Sequence, residues 1–249
     1  MSDRILLVTG GSRGIGAATA RAAARTGYKV AINYVNDAKA ADALAKEIRK
    51  TGGTAVAIKA DVAREDEIVR LFMTVDHEFG RLTHLVNNAG ITGRAGRIAD
   101  VDAGALGRVI AVNVIGAILV AREAVRRMST ARGGKGGAIV NLSSMAAVLG
   151  APGEWVGYAA SKGAIDSFTV GLSREVAKEG IRVNAVAPGL IDTDIHVTAG
   201  QPDRIERMAP TVPMARAGSA AEVAAAILWL LSEEASYVTG TTVRVSGGR

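Results

Sequence analysis

Arg4-Ile5-Leu6-Leu7-Val8-Thr9-Gly10-Gly11-Ser12-Arg13-Gly14-Ile15-Gly16 is the segment that decides the fold. A short apolar run ends in a glycine-rich turn, and a helical pattern from about Ile15 to Thr26 opens directly behind it. Strand, tight turn and helix in that order form the context a phosphate-binding turn requires. At Gly10, Gly14 and Gly16 the missing Cβ atoms let backbone N–H groups and the positive end of a helix approach a pyrophosphate. Ordinary turns use glycine too, so the flanking strand and helix carry the reading.

Short apolar runs alternate with longer helical patterns to the end of the chain. YKVAINY (28–34) precedes a helical pattern near Ala38 to Thr51, TAVAIKADV (54–62) one that reaches Phe79, and HLVNNAG (84–90) one near Val109 to Met128. GGAIVNLSS (136–144), a helical pattern from about Tyr158 to Lys178, IRVNAVAPG (181–189) and TTVRVSGG (241–248) complete the series. Such alternation is the signature of successive βαβ units. It predicts an α/β protein with a single-domain Rossmann fold over residues 1–249, its seven-stranded doubly wound parallel sheet flanked by helices on both faces. Ligands of such sheets bind beyond the carboxyl ends of the strands. Asp192 to Ala217 stands apart, being polar and holding three of the five prolines. A plain surface excursion and a substrate lid are both open for it.

Composition agrees with that architecture. The 249 residues fit the range of one-domain α/β folds. Aromatics make up 4% and glycines number 30, which suits a layered protein with tight strand-to-helix turns. With no cysteine, disulfides, thiolate metal sites and a cysteine nucleophile are excluded. The N-terminal MSDRILLVTGG has too short an apolar run for a signal peptide, and no stretch is read as the ~20 apolar residues of a membrane span. A cytoplasmic protein without membrane contact is the expectation.

The net charge of +6 raises the question of a nucleic-acid partner. The densest basic cluster, Arg122, Arg126, Arg127, Arg132 and Lys135, reads instead as a solvated helix face, so no nucleic acid is expected. His77, His84 and His196 show no metal-ligand spacing and are expected at the surface or at strand ends, leaving no metal site.

Thr9-Gly10, Gly14 and Gly16 follow the spacing TGxxxGxG, and in this the chain resembles the short-chain dehydrogenase/reductase family. The resemblance extends through Asn87-Asn88-Ala89-Gly90, Asn113, Ser143-Ser144, Tyr158 with Lys162, and Pro188-Gly189, to the chain end from Arg216 and Glu222 to Gly240 and Gly247-Gly248. It implies hydride transfer between a nicotinamide and a small-molecule carbonyl or alcohol, by a homotetramer. The cofactor contacts it implies are Gly10, Ser12, Arg13, Gly14, Ile15, Gly16, Asn33, Tyr34, Asp61, Val62, Asn88, Ala89, Gly90, Tyr158, Lys162, Pro188, Gly189, Ile191 and Thr193. Asp61 resembles the acid that meets the adenine amino group, with a helix N-cap as the plain alternative. Asn88, Ala89 and Gly90 would lie under the adenosine ribose, or form only a strand-ending turn. Pro188, Gly189, Ile191 and Thr193 would flank the nicotinamide.

Cofactor choice has a physical argument. A carboxylate at the end of the second strand would accept hydrogen bonds from a free ribose 2′-OH and repel a 2′-phosphate. Tyr34, preceded by Asn33, stands at the matching position, and no acid occupies it. Arg13 offers a guanidinium to a 2′-phosphate, against the plain alternative of a solvated loop arginine. NADP(H) is therefore expected over NAD(H).

Hydride transfer to a carbonyl leaves an alkoxide, which needs a proton donor and a group that polarises the oxygen. Tyr158 and Lys162, at i and i+4, share one helical face. Lowering a phenol from ~10 to about 7 takes roughly 4 kcal/mol of preferential phenolate stabilisation. One ammonium about 4 Å away supplies on the order of 4 kcal/mol at an effective dielectric near 20 before desolvation subtracts, so the lysine together with the cationic nicotinamide ring is sufficient in magnitude. By resemblance, Ser144 bonds the substrate oxygen and Asn113 holds a water that links Lys162 to bulk proton supply. Ser143 is expected to face the other way. Pro152, Gly153, Glu154 and Trp155 are expected at the substrate mouth, Trp155 as a stacking surface or as core.

The resemblance covers both 3-oxoacyl reductases acting on carrier-bound thioesters and sugar or polyol dehydrogenases. Glu179 stands where carrier-binding members often place a basic residue, although Arg126 and Arg127 remain available to an acidic partner. Outside the enzyme class stands a non-catalytic NADP(H)-binding redox sensor. The complete set Asn113, Ser144, Tyr158 and Lys162 weighs against it.

Overall fold

Strand β1 (Ile5–Val8) shows how the layers are assigned: Leu6 and Val8 enter one hydrophobic core, Ile5 and Leu7 the other. Alternate residues of a strand face opposite sides of a sheet, so a run apolar at every position needs cover on both faces. The computed structural model describes residues 4–194 and 199–249. His196 lies outside them.

The other strands are β2 (Lys29–Tyr34), β3 (Thr54–Lys59), β4 (His84–Asn87), β5 (Gly137–Leu142), β6 (Ile181–Pro188), β7 (Ile191–Asp192), β8 (Gly218–Ser219) and β9 (Thr242–Val245). Seven of them form one parallel sheet in the order β3-β2-β1-β4-β5-β6-β9. The helices are α1 (Gly14–Arg25), α2 (Ala38–Lys50), α3 (Glu65–Phe79), α4 (Ala103–Ile110), α5 (Ala117–Met128), α6 (Ala146–Leu149), α7 (Val156–Val176), α8 (Arg204–Met208) and α9 (Ala220–Leu231). On one face Ala20 of α1, Leu44 of α2 and Ile227 of α9 join the core; on the other, Phe72 of α3, Val120 of α5 and Val176 of α7. Each fully buried Leu, Ile or Phe contributes about 2 kcal/mol by leaving water. Strand order reverses between β1 and β4, the switch point at which such sheets open a crevice.

Three features depart from the sequence expectation. The helix expected near Val109 starts at Ala103, because Asp102 accepts from Ala105 N at 2.7 Å and caps it. Gly104 and Gly107 hide that start through their poor helix propensity. From Ala103 the helix continues through a π-helical turn (Ala111–Gly116) to Met128, and an 18-residue window in it reaches a mean hydropathy of 2.0. By length and composition this segment matches a membrane span, contrary to the expectation that none does. Its Val112, Val120, Ala124 and Met128 are packed into the sheet core.

Helix α9, for which the strand-and-helix reading names no element, is set by a capping box. Ser219 Oγ accepts from Glu222 N at 3.2 Å and Glu222 Oε2 accepts from Ser219 N at 2.7 Å. Finally, β7 and β8 pair in parallel through Ile191–Gly218 and Asp192–Ser219, so the excursion between them leaves and returns at one point.

Candidate active site and cofactor cleft

Between β1 and α1 the chain turns with Gly10 at φ +58° and Gly14 at φ +53°, the left-handed region that glycine enters without a Cβ penalty. A Cβ on Gly16 would meet Gly10 O at 2.6 Å and Asn88 Nδ2 at 2.7 Å, so turn and helix leave no room for a side chain there. Neighbouring strands hold the turn from both sides. Asn33 Oδ1 accepts from Gly10 N at 3.2 Å, and Asn88 Nδ2 donates to Thr9 O at 2.8 Å and Gly10 O at 2.9 Å. Thr9 Oγ1 accepts from the backbone N–H groups of Asn88 and Ala89, each at 3.0 Å. Helix α1 has no side-chain N-cap, which leaves its first-turn N–H groups to an anion.

A cleft of about 620 Å³ passes over this turn. Of the expected cofactor contacts, Gly10, Ser12, Arg13, Gly14, Ile15, Tyr34, Asp61, Val62, Asn88, Ala89, Gly90 and Thr193 line it. Arg13 is exposed, and its side chain makes no hydrogen bond or ion pair among the described residues. Asp37 also lines the cleft, but its carboxylate is committed to capping α2, accepting from Ala40 N at 2.9 Å. Asp61 pairs with Arg108 at 2.8 Å, and its Oδ1 accepts from Ala63 N at 2.9 Å. Burial works against its charge, yet the Ala63 N–H and the Arg108 guanidinium hold its pKa below the usual carboxylate value. The N-cap position of α3 belongs to Arg64, so Asp61 does not serve as that cap.

Asn33, Gly16 and Asn113 line neither this cleft nor the adjoining cavity. Asn33 is fully buried and ties the glycine turn to the end of β3, donating to Ala60 O at 2.9 Å. Gly16 acts through the close packing just described. Asn113, in the π-helical turn, accepts from Ile91 N at 2.9 Å and donates to Ile91 O at 2.8 Å and Ser161 Oγ at 3.0 Å. The side-chain amide expected to carry a water is thus committed at both ends, locking the Gly90–Ile91 turn to the helix.

Next to the cleft, and sharing Ile15, Asn88, Gly90 and Thr193 with it, lies a cavity of about 420 Å³. Ser144 from the end of β5, Tyr158 and Lys162 from α7, and Pro188, Gly189 and Ile191 from the β6–β7 junction all line it. Lys162 is 4% exposed. Its Nζ donates to Leu142 O at 2.6 Å and lies 5.7 Å from the centroid of the Tyr158 ring. Burial pushes the ammonium pKa down to about 8, with Asp166 opposing. Burial likewise raises Tyr158 above the ordinary phenol value, opposed by a side-chain hydrogen bond with Ser144. In the cofactor-free chain desolvation is thus the larger influence on the phenol, and the Lys162 ammonium keeps two further donors beyond its bond to Leu142 O. Ser144 Oγ also accepts from Ala146 N at 3.1 Å, while Ser143 Oγ is sealed and has no partner among the described residues.

The rest of the cavity wall includes residues that no motif announces: Leu149, Ala199, Arg204, Met208 and Arg249. Trp155, expected as a stacking surface for substrate or as core, is buried and lines the cavity. Its Nε1 donates to Gly93 O at 3.2 Å and the Arg204 guanidinium lies 4.6 Å from its ring centroid. Away from the site, Arg122, Arg126 and Arg127 are paired with Glu65, Glu123 and Asp76. Of the histidines, His77 is exposed and His84 opens β4, buried against Tyr28. Among the described residues no group of three or more potential metal ligands forms.

Residues 10–249 match the family described as enoyl-(acyl carrier protein) reductase. Over 245 residues the chain is 51% identical to the uncharacterized oxidoreductase YgfF of Escherichia coli strain K12, covering 98% of this chain and 99% of that one. It is 39% identical to a 3-oxoacyl-[acyl-carrier-protein] reductase of Synechocystis, covering 100% and 97%. The crystal structure of levodione reductase superposes with a TM-score of 0.92 at 31% identity, covering 100% of this chain and 98% of that one.

Proposed function

Because the chain belongs to the short-chain dehydrogenase/reductase family of oxidoreductases, which bind a nicotinamide cofactor, we propose that it interconverts a carbonyl and an alcohol with NADP(H), Tyr158 giving and taking the proton. One observation carries this reading: Ser144, Tyr158 and Lys162 converge on the cavity that adjoins the glycine-turn cleft. The cleft suits a dinucleotide. Gly10 and Gly14 turn at positive φ, Gly16 is packed too tightly for a side chain, and the N–H groups of α1 are uncapped. Bound there, the nicotinamide supplies or accepts the hydride.

Each remaining step falls to the protein. Ser144 donates to the substrate oxygen and polarises it. The raised pKa keeps the Tyr158 phenol protonated at neutral pH, the form that delivers a proton to a nascent alkoxide. Lys162 places positive charge beside the ring and favours the phenolate once the proton has left. Asn113 acts as a positioning residue, fixing the Gly90–Ile91 turn beneath the site. The preference for NADP(H) is supported by the exposed guanidinium of Arg13 in the cleft and by Tyr34, in place of an acid, at the end of β2.

Residues 192–217 are proposed as a substrate lid: the β7–β8 pair closes the segment at its base and Ala199, Arg204 and Met208 reach the cavity wall. A homotetramer is supported by apolar side chains left exposed on the long helices, Ile115 at 52% and Ile118 at 38%, and separately by Trp229 at 40% on α9. A cytoplasmic protein acting on a small molecule completes the proposal, supported by Val112, Val120, Ala124 and Met128 packing into the sheet core. The test is loss of nicotinamide absorbance from NADPH across ketones, sugar-derived carbonyls and 3-oxoacyl thioesters, repeated with NADH. Turnover that favours NADPH is expected; no binding of either cofactor sinks the reading.

A further inference from the structure

Glu154, Trp155 and Arg204 form a layered cluster in the cavity wall that hydride transfer does not use. Arg204 is 8% exposed and stacks on the Trp155 ring. Its Nη1 donates to Glu154 Oε1 and, at 3.2 Å, to Gln201 Oε1. No described residue accepts from Nε or Nη2, and neither of these atoms is sealed from solvent. Those two nitrogens form the side-on fork of a guanidinium, the edge that takes a carboxylate or phosphate through two parallel bonds. Open to solvent yet on a largely buried side chain, these two donors are held in place for a ligand that accepts from both. Among the described residues lining the cavity, three are basic, Lys162, Arg204 and Arg249, and one is acidic, Glu154. Met145, Leu149, Ala199 and Met208 make the rest of that wall apolar, which strengthens any ion pair formed inside it.

We propose that the cavity selects carbonyl compounds, and the matching alcohols, that carry a compact anionic group, a carboxylate or phosphate, held by the open fork of Arg204. This names the substrate class of the oxidoreductase site and rests on that reading. Glu154 steadies the guanidinium while the cavity is empty, and Trp155 fixes its plane. Arg249 adds to the positive field.

The experiment compares kcat/KM, with NADPH, for 4-oxopentanoate against its methyl ester and for acetoacetate against methyl acetoacetate. The acids are expected to be favoured at least about tenfold, the scale of one charge-assisted pair. Arg204→Gln abolishes that preference, whereas Glu154→Gln increases it by freeing the guanidinium of its counter-charge. A merely structural ion pair makes both variants lose together, so opposite signs are the discriminating result. Esters used as well as acids, or a preference unchanged in Arg204→Gln, overturns the proposal and leaves the oxidoreductase reading standing. If no probe is turned over, calorimetric titration of 4-oxopentanoate into the NADPH-loaded protein decides: saturable binding lost in Arg204→Gln upholds the anion site, and no binding overturns it. Failure to bind NADPH sinks the oxidoreductase reading instead, and the same titration of the cofactor-free protein then judges the anion site by itself.

Discussion

The two walls of the site are built in opposite ways. The cofactor wall is mostly backbone, in which Gly10, Gly14 and Gly16 turn between β1 and α1 and are held by Asn33 from β2 and Asn88 from β4. The substrate wall is mostly side chains, with Leu149, Trp155, Arg204 and Met208 brought in by excursions that follow β5 and β7. Changing the first wall shifts three strands. The second can be rewritten without touching the sheet, which is how one fold carries many specificities. Tyr158 and Lys162 stand on α7 where the two walls meet.

If the walls are separable, Tyr158→Phe removes turnover and spares the cofactor wall. A fall in kcat of about 10³-fold is expected, with NADPH affinity by fluorescence unchanged within about twofold. Equal losses in both would mean that the walls do not work independently.

Lys162 provides the next largest effect, through pH. Burial lowers its pKa from 10.5 to about 8 in the folded chain. Between those values the unfolded chain binds more protons, so stability rises with pH from about 8 to 10.5 and is flat in this component below 8. The full rise is about 3 kcal/mol. Urea unfolding of the cofactor-free protein at pH 7.5 and pH 10 should show it, and Lys162→Met should lack it.

Gly16→Ala tests the rigidity of the cofactor wall. Overpacking against Gly10 O and Asn88 costs about 2 kcal/mol in urea unfolding and weakens NADPH. A variant as stable as the parent would show that the turn can yield. Arg13→Ala should raise the NADPH Kd about tenfold, one strong hydrogen-bonded pair, and leave that of NADH alone. Equal effects on the two cofactors would move the 2′-phosphate contact elsewhere. Smallest of all, Met208→Ala should change KM for bulky ketones about threefold with cofactor affinity unchanged. A change in NADPH affinity there would couple the excursion to the cofactor wall.

Much of this architecture is written in local patterns. The apolar runs of β1 to β6 and β9, the glycine turn at Thr9–Gly16 and the i, i+4 spacing of Tyr158 and Lys162 each reside within a short window of sequence, where periodicity and steric rules act on neighbours. From them follow the seven parallel strands, the edge of the sheet that bears the site and the residues that meet there.

Other properties depend on partners far along the chain. The Asn33 amide reaches Ala60 O, 27 residues on, a bond that no local pattern announces. Whether the Tyr158 phenol is raised or lowered turns on how much water the cavity excludes and on its hydrogen bond with Ser144 from the end of β5. Arg204 meets Glu154 across 50 residues, and no spacing rule links them. The type and order of the strands and most helices respond to near neighbours, so the sequence by itself determined them. Desolvation and side-chain pairing depend on which distant surfaces become adjacent, and only the tertiary structure decided those.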